Sequence, residues 1–315
     1  MTESWGEFQK AGHKAQAALP GHGFIMSFDT ETTPLYFVGA KTKKTAGPGG
    51  LPLATALVEL ARALVVQAQL LTCPAGFDGL YYVGSDPDRL FDEAARMQAA
   101  GVGAEVELAR PTGPLAPAIP SGLLHELLHF LVVSSLFARD YALVMGRLVH
   151  RFDKAEAARP AAALAMRMDG AARVAVSLQL STLRGANPPA AAAAGLLAPG
   201  ITRYALPGCH TVHLREVTDT LGPEEPLSGP RVLARYWRAL YNLALPAAPG
   251  LFARVSFHPS DAPTLLYPGA MLAVCALAVD DKHRPPLAER EQRLEARLLA
   301  DLHDFFFFLR PARED

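Results

Sequence analysis

The strongest candidate for chemistry in the sequence is a stretch of five residues, His-Glu-Leu-Leu-His at positions 125–129. Residues four positions apart lie on one face of a helix, so His125 and His129 can direct imidazole nitrogens at a single metal ion. Glu126 stands about 100° around the same helix and can reach a water molecule bound to that ion. Zinc lowers the pKa of such a water toward neutrality, and Glu126 then acts as a general base. The stretch therefore predicts a zinc-dependent hydrolase.

Apolar residues on both sides of this stretch favour a buried helix, and here the sequence resembles the HExxH zinc metallopeptidases. The metzincin subgroup is excluded, because Ser135 occupies the position where that subgroup has a further histidine. A gluzincin instead takes its third ligand from a glutamate on a following helix, and Glu156 fits that position best. The segment from Glu156 to Met166 is similar to the corresponding helix of the ImmA/IrrE-type peptidases. This resemblance implies a peptidase with His125, His129 and Glu156 as its zinc ligands.

Several alternatives to this zinc site stay open at the level of sequence. The segment departs from the ImmA/IrrE pattern at Ala158, Pro160 and Ala165, where the family has Asn, Phe and Leu. Other candidates for the third ligand are Asp153, Asp140 and His150. The stretch also has a purely structural interpretation, in which both histidines bond to oxygen acceptors at the edge of the core. Glu126 would then pair with an arginine such as Arg139 or Arg147.

A second acidic group follows the apolar segment Phe24–Phe28, where Asp29 and Glu31 stand two positions apart. It resembles the first motif of the DnaQ-like 3′–5′ exonucleases, in which a strand ends in Asp-x-Glu. The resemblance implies a nuclease whose Asp29 and Glu31 hold two metal ions on one strand face. That family needs two later aspartates, and the sequence has no HxAxxD or YxxxD motif for the last of them. A strand that enters a polar turn is the alternative.

Composition narrows the classes of function. Of 315 residues, 50% are apolar and 19% are charged, which suits a buried core and excludes a disordered chain. The 30 basic and 31 acidic residues nearly cancel, which argues against a nucleic-acid-binding surface. Three cysteines without CxxC spacing favour a reducing compartment. With no secretory signal and no apolar run of about 20 residues, we expect a soluble cytoplasmic protein that does not cross a membrane.

The pattern of helices and strands predicts an α+β fold, with mixed sheets packed against about seven helices. The central buried helix is expected to carry the His-Glu-Leu-Leu-His stretch, and further helices are predicted at Tyr141–His150 and Lys154–Met168. The predicted domains are an N-terminal α/β lobe (1–110), a Pro-rich connector (111–120), a helical segment with the HExxH stretch (121–185), an Ala/Pro-rich loop (186–200) and a C-terminal α+β lobe (201–315).

Four consecutive phenylalanines, Phe305–Phe308, stand near the end of the last predicted helix. Four residues in a row cover every side of a helix, so only some of them can face the protein's own core. The others predict contact with a protein partner or with a second copy of the chain. This aromatic run supports a second hypothesis, a non-catalytic interaction or assembly protein such as an immunity, adaptor or particle component.

Overall fold

The computed structural model of the chain describes residues 23–27, 34–43, 50–117, 119–152, 158–168, 173–185, 202–219, 230–245, 251–257, 264–273, 278–280 and 289–308. Its helices are α1 (Leu53–Ala68), α2 (Pro87–Ala99), α3 (Ser121–Phe137), α4 (Pro230–Tyr241) and α5 (Glu289–Phe308). The α+β class is therefore confirmed. The expected number of about seven helices is wrong for the described residues, which form five α-helices and one short 3-10 helix.

Fifteen strands form three sheets within the described part of the chain. The strands are β1 (Gly23–Ser27), β2 (Leu35–Thr42), β3 (Leu71–Pro74), β4 (Gly79–Val83), β5 (Val106–Leu108), β6 (Tyr141–Val144), β7 (Arg147–His150), β8 (Ala158–Met168), β9 (Arg173–Arg184), β10 (Thr202–Ala205), β11 (His210–Thr218), β12 (Phe252–Ser256), β13 (Leu265–Pro268), β14 (Leu272–Ala273) and β15 (Ala278–Asp280). Their orders are β3-β4-β2-β5, β13-β12-β11-β10-β14, and β1-β9-β8-β7-β6 with β15 also on β9. Each pairing with a described register is antiparallel, where mixed sheets had been expected.

The chain divides into two compact units, and each is built from separate stretches of sequence. The first unit comprises Met1–Arg139, Leu164–Gln179 and Ala296–Asp315. The second comprises Asp140–Ala163 and Leu180–Glu295. Strands β8 and β9 contribute residues to both units, as does helix α5.

In the first unit, α1 packs on the four-stranded sheet. Thr72 Oγ1 on β3 donates a hydrogen bond to the Ala61 carbonyl on α1, at 3.3 Å. The largest fully buried side chains at this contact are Leu57, Leu60, Leu64, Leu71, Leu80 and Tyr82. Gly103 allows the chain to pass close to α1, because its φ is +59° and an added Cβ would lie 2.7 Å from the Cβ of Leu60. Asp86 caps the N-terminus of α2, since its Oδ1 accepts hydrogen bonds from the backbone N–H groups of Asp88 and Arg89.

Two of the predicted helices are strands. Residues 141–150 form the hairpin β6–β7, in which Met145 and Gly146 adopt the positive φ values of 53° and 70° that a two-residue hairpin turn requires. The described part of Lys154–Met168 is β8. Its alanines favour a helix by intrinsic propensity, but pairing within a sheet overrides a preference of that size. The predicted helical segment 121–185 therefore holds one described helix, α3, followed by four strands.

In the second unit, α4 and the neighbouring strands enclose an aromatic core. Trp237 is 3% exposed, and its ring lies 5.4 Å from that of Tyr267 and 5.5 Å from that of Tyr241. Tyr267 Oη donates to the Leu206 carbonyl at 3.0 Å, and Asn242 Nδ2 donates to the Tyr141 carbonyl at 2.7 Å. Buried polar groups at this position thus have acceptors within the core itself.

Among the described helices, none is both long enough and apolar enough to cross a membrane. Helix α5 buries Leu294, Leu298 and Leu302 at helical spacing, as its apolar stripe predicts. Residues 305–308 lie in the last turns of α5, but their side chains are outside the described part of the structure. The predicted partner contact through Phe305–Phe308 therefore stays a prediction.

Candidate functional site

Helix α3 carries the whole His-Glu-Leu-Leu-His stretch, as the sequence predicts. It begins after Pro120, whose extended backbone ends the preceding loop, and it has no side-chain cap. One side of the helix is fully buried through Leu124, Leu127, Leu128 and Leu131. Glu126 and His129 are exposed and His125 is half-buried, so the polar residues lie at the surface of the first unit. The helix is therefore buried on its leucine side over residues 122–130 and on all sides over residues 131–137.

His125 is held in one orientation by a backbone contact. Its Nε2 lies 3.0 Å from the carbonyl oxygen of Met166 on β8. Because a carbonyl only accepts hydrogen bonds, Nε2 carries the proton and Nδ1 carries the lone pair. Histidine ligands of metals commonly donate their other N–H to a carbonyl or carboxylate, which fixes the ring and its tautomer. The contact therefore leaves Nδ1 of His125 as the nitrogen available to a metal ion.

His129 and Glu126 make no hydrogen bond to any residue within the described ranges. Although much of His129 is exposed, partial burial of the ring lowers its pKa below the ordinary value of 6.5. The positive charge of His125 is the second cause of that lowered pKa. A neutral imidazole is the form that binds metal, so both effects favour the ligating form.

Cys73 lies next to this polar group. It is a free thiol on β3 with 2% exposure, and burial raises its pKa to about 12. The charge of Glu126 is a second cause of that raised pKa. At neutral pH the thiol is therefore protonated, and it is neither a ready nucleophile nor a ready ligand. Sequence alone gave no sign of this neighbour, because β3 and α3 are brought together only by the tertiary fold.

No third metal ligand is found within the described ranges, where no group of three His, Cys, Asp or Glu side chains could hold a metal ion. Glu156 and the alternative ligand Asp153 lie outside those ranges, as do Asp29 and Glu31 of the nuclease hypothesis. Met166 lies eight positions after Ala158 on β8, a span of roughly 26 Å in an extended strand. Because β8 is an extended strand and not a helix, the assignment of Glu156 as a ligand needs a separate experimental test.

The other residues weighed from the sequence have partners elsewhere. Asp140 pairs with Arg151 across the end of the β6–β7 hairpin, with 3.7 Å between the charged atoms. The His150 ring packs edge-on against Tyr141 at 5.2 Å. Both belong to the second unit, as does Arg147. Arg139 contacts Ser135 and forms an ion pair with Asp301 at 3.5 Å, so the expected pair of Glu126 with an arginine is not formed by the described residues.

Sequence reasoning also missed a buried cation. Arg62 on α1 lies against two aromatic rings of α3, with its Cζ 4.2 Å from the centroid of Phe137 and 5.7 Å from that of Phe130. Its Nε and Nη1 atoms are buried and have no hydrogen-bond partner within the described part of the chain. Burial lowers the pKa of the guanidinium to about 9, so it is still charged at neutral pH. Arg62 interrupts a strongly apolar helical pattern. From sequence alone, a charged residue at such a position is expected at the solvent-exposed edge of the helix, and its burial is not predicted.

Comparison with known proteins assigns neither a family nor a function to this chain. No family model matches the chain, and no curated protein sequence matches it. The fold defines an α+β protein with a polar, solvent-facing turn on α3. Inference about function therefore rests on the side chains of that turn and on their surroundings.

Proposed function

We propose that this protein is a zinc-dependent hydrolase, and that His125 and His129 are two of its metal ligands. The observation that carries the proposal is the state of the polar turn on α3. Glu126 and His129 are exposed and His125 is half-buried, and burial, followed by the charge of His125, lowers the pKa of His129. A histidine with a purely structural role at the edge of the core would have both ring nitrogens either buried or hydrogen-bonded. Here His129 has neither nitrogen bonded to a described residue, and His125 has one.

The hydrogen bond from His125 to the Met166 carbonyl supports a ligand role rather than competing with it. It uses Nε2 alone, and it holds the ring so that Nδ1 is presented in a fixed direction. Strand β8 thus acts as the outer support of a ligand that α3 carries. A ligand held in this way loses little rotamer entropy when it binds a metal ion.

Glu126 is the base in this proposal. When bound, zinc supplies a water of lowered pKa and polarises the bond to be hydrolysed. With zinc held by His125 and His129, the Glu126 carboxylate would act as the general base and would pass the proton on to the leaving group. Nothing among the described residues neutralises this carboxylate, since no ion pair or hydrogen bond engages it. A free, solvent-facing carboxylate next to two imidazoles is what the proton transfer needs.

The class of substrate is proposed to be a peptide, which the resemblance to the HExxH metallopeptidases favours. Glu156 is the third ligand that the same resemblance implies. Its role stays a prediction, because it lies outside the described ranges and because β8 is a strand where that family has a helix.

Metal content of the purified protein tests the proposal. We expect about one zinc per chain after reconstitution and desalting, and less than about one-tenth of that in His129→Ala and His125→Ala. Glu126→Gln should retain the metal and lose hydrolysis of a mixed peptide library by about a hundredfold or more. The zinc content of Glu156→Ala tests separately whether Glu156 is a ligand.

A matched control is His210→Ala, which removes an exposed histidine of the second unit. This variant should keep both metal and activity. Equal zinc in wild type, His129→Ala and His210→Ala would mean adventitious binding and would contradict the proposed site. Absence of metal from every sample would instead favour the non-catalytic assembly protein that Phe305–Phe308 suggests.

A further inference from the structure

The four-stranded sheet of the first unit has both α1 and α2 on one of its two sides. Thr72 Oγ1 donates to the Ala61 carbonyl of α1, and Tyr82 Oη donates to the Asp86 carbonyl at the start of α2 at 2.9 Å. Thr72 and Tyr82 are register partners on β3 and β4, so both helices lie on the side to which these residues point. Successive residues of a strand point to opposite sides, so the neighbours of these two residues point away from the helices.

Two aromatic rings lie on the side away from these helices, on the central strands of the sheet. Phe37 of β2 and Tyr81 of β4 are register partners, and their ring centroids are 6.0 Å apart at an interplanar angle of 63°. Phe37 is 38% exposed and Tyr81 is half-buried. Other residues on this side are fully buried, namely Leu35, Leu71 and Val83. The uncovered part of this side is therefore centred on Phe37 and Tyr81, which we call the aromatic pair.

Two glycines hold the Phe37 ring close to the backbone of the sheet. A Cβ added to Gly79 of β4 would lie 2.6 Å from Cε2 of Phe37, so the ring lies where a side chain of residue 79 would stand. Gly39 is the register partner of Gly79, and a Cβ added there would lie 3.9 Å from Cε1 of the same ring. The ring is thus held against the sheet on one side and open to solvent on the other. A planar ring held in this way can stack on another planar ring with little loss of rotamer entropy.

Basic residues follow the aromatic pair along β2. Lys41 points to the same side as the pair and lies four positions beyond its phenylalanine, roughly 13 Å along the strand. Its Nζ pairs with Oε1 of Glu107 at 3.0 Å, but the two side chains are 71% and 48% exposed, so the pair is weak and can exchange for another anion. Lys43 follows, and its Nζ donates to a neutral side-chain oxygen at 3.0 Å. The sequence adds Lys44 directly after it.

Aromatic rings in the middle of a sheet and lysines beside them suit the two parts of a single-stranded nucleic acid. Bases are planar and stack on aromatic side chains, whereas phosphates are bound by basic ones. A four-stranded sheet with aromatic residues on its strands can hold two or three unpaired RNA bases in this way. The near-neutral charge of the whole chain argues against binding driven by phosphates alone, but stacking does not depend on that charge. Stacking on an exposed ring also requires no enclosed cavity.

We propose that the aromatic pair, together with Lys41 and Lys43, binds single-stranded RNA, with one base stacked on Phe37 and a neighbouring base on Tyr81. The inference does not rest on the proposed hydrolase function, since none of these residues is a proposed metal ligand or base. A second copy of the chain would also cover an exposed ring, but adjacent lysines favour a polyanion as the occupant.

Fluorescence anisotropy of a labelled single-stranded RNA, a CA repeat of about ten nucleotides, tests the inference on the full chain at low salt. No metal is added, so a failure of the zinc proposal leaves the result unaffected. Phe37→Ala and Tyr81→Ala should each weaken binding about tenfold, because each removes a stacking ring. Phe37→Leu keeps an apolar side chain over Gly79 and is the milder change for folding, and it should weaken binding to a similar extent. Phe37→Trp keeps a planar ring and should stay within about threefold of wild type.

Two further variants test the lysine contact and the specificity of the ring effect. Lys41→Ala should weaken binding about threefold and make it less sensitive to added salt, since one phosphate contact is lost. The matched control is Phe257→Ala, which removes a phenylalanine of similar exposure, 36%, from the second unit and should leave binding unchanged.

Three results would overturn the inference. The first is RNA binding that is absent from wild type, or that is equal in wild type, Phe37→Leu and Tyr81→Ala. The second is tighter binding of DNA of the same sequence, which would favour single-stranded DNA as the ligand. The third is a wild-type dimer, detected by analytical ultracentrifugation without RNA, that Phe37→Ala dissociates, which would assign the surface to a second copy of the chain.

Discussion

Two arginines, one in each unit, lie against phenylalanine rings in nearly the same way and differ in how their nitrogens are bonded. Arg159 Cζ is 4.6 Å from the ring centroid of Phe152, and Arg62 Cζ is 4.2 Å from that of Phe137. Arg159 Nη1 also donates to the Phe152 carbonyl at 3.0 Å. Two nitrogens of Arg62 have no acceptor within the described ranges. The second unit supplies an acceptor for Arg159 from its own backbone, whereas no described residue supplies one for Nε and Nη1 of Arg62.

The same contrast extends to the neighbouring polar groups. Tyr267 and Asn242 bond to carbonyls inside the aromatic core of the second unit. In the first unit, Ser134 is buried without a partner, and Glu126 and His129 are free of described partners at the surface.

The largest expected difference between the two regions is in stability after loss of an aromatic ring. Trp237→Ala should lower the free energy of unfolding by about 3–5 kcal/mol, because it leaves a cavity in a closed core. Phe130→Ala should cost about 1 kcal/mol or less, because the half-exposed ring is lost while water gains access to Arg62. Urea unfolding followed by circular dichroism measures both. Equal costs would mean that α3 and Arg62 form an ordinary closed core.

Features that depend on neighbouring residues in the sequence could be predicted, whereas features that depend on pairing with distant strands could not. The α3 helix and the Asp86 cap of α2 depend on neighbours in the sequence, and the structure contains both. The β6–β7 hairpin was misread as a helix, although Gly146 at the second turn position was a signal for a two-residue turn. Strand β8 had no such signal, because its alanines favour a helix and only sheet pairing decides otherwise.

The surroundings of the candidate site could not be predicted at all. Cys73, Met166 and Arg62 reach α3 from three other elements, and they are separated in sequence by 41 to 75 residues from the α3 side chains that they affect or contact. Periodicity shows which face of a helix is apolar, but it does not show which strand or helix covers that face. A polar residue within an apolar pattern, such as Arg62, is the one local sign that a buried charge was present.

The second prediction changes the two arginines in parallel. Arg159→Met should lower the free energy of unfolding by about 1–3 kcal/mol, since the Phe152 carbonyl loses its donor. Arg62→Met should instead raise it by about 1 kcal/mol, because an unpaired charge leaves an apolar setting. Urea unfolding at pH 7 without added anions gives both values. A loss of similar size in both variants would contradict the contrast drawn between the arginines.

The third prediction concerns high pH and the second unit. Burial, followed by the charges of Tyr241 and Tyr236, raises the pKa of Tyr267 from 10.0 to about 12. Between pH 10 and pH 12 the unfolded phenol loses its proton while the folded one keeps it, so stability falls as pH rises through this interval. Tyr267→Phe should remove this part of the loss. Absorbance at the phenolate band should show one fewer late-titrating tyrosine in the variant, and an unchanged titration would contradict the assignment.

The smallest expected effect is a change in the titration of His129. Its pKa is lowered by burial first and by the charge of His125 second, so His125→Ala should raise that pKa while leaving it below 6.5. Because the lowered pKa makes the unfolded chain bind the proton first, stability falls as pH drops below 6.5, and the fall should be shallower in the variant. Proton NMR of the imidazole resonances measures the shift, with His210→Ala as the control. An unmoved His129 would mean that the two rings do not interact, and the shared metal site proposed for them would lose its electrostatic support.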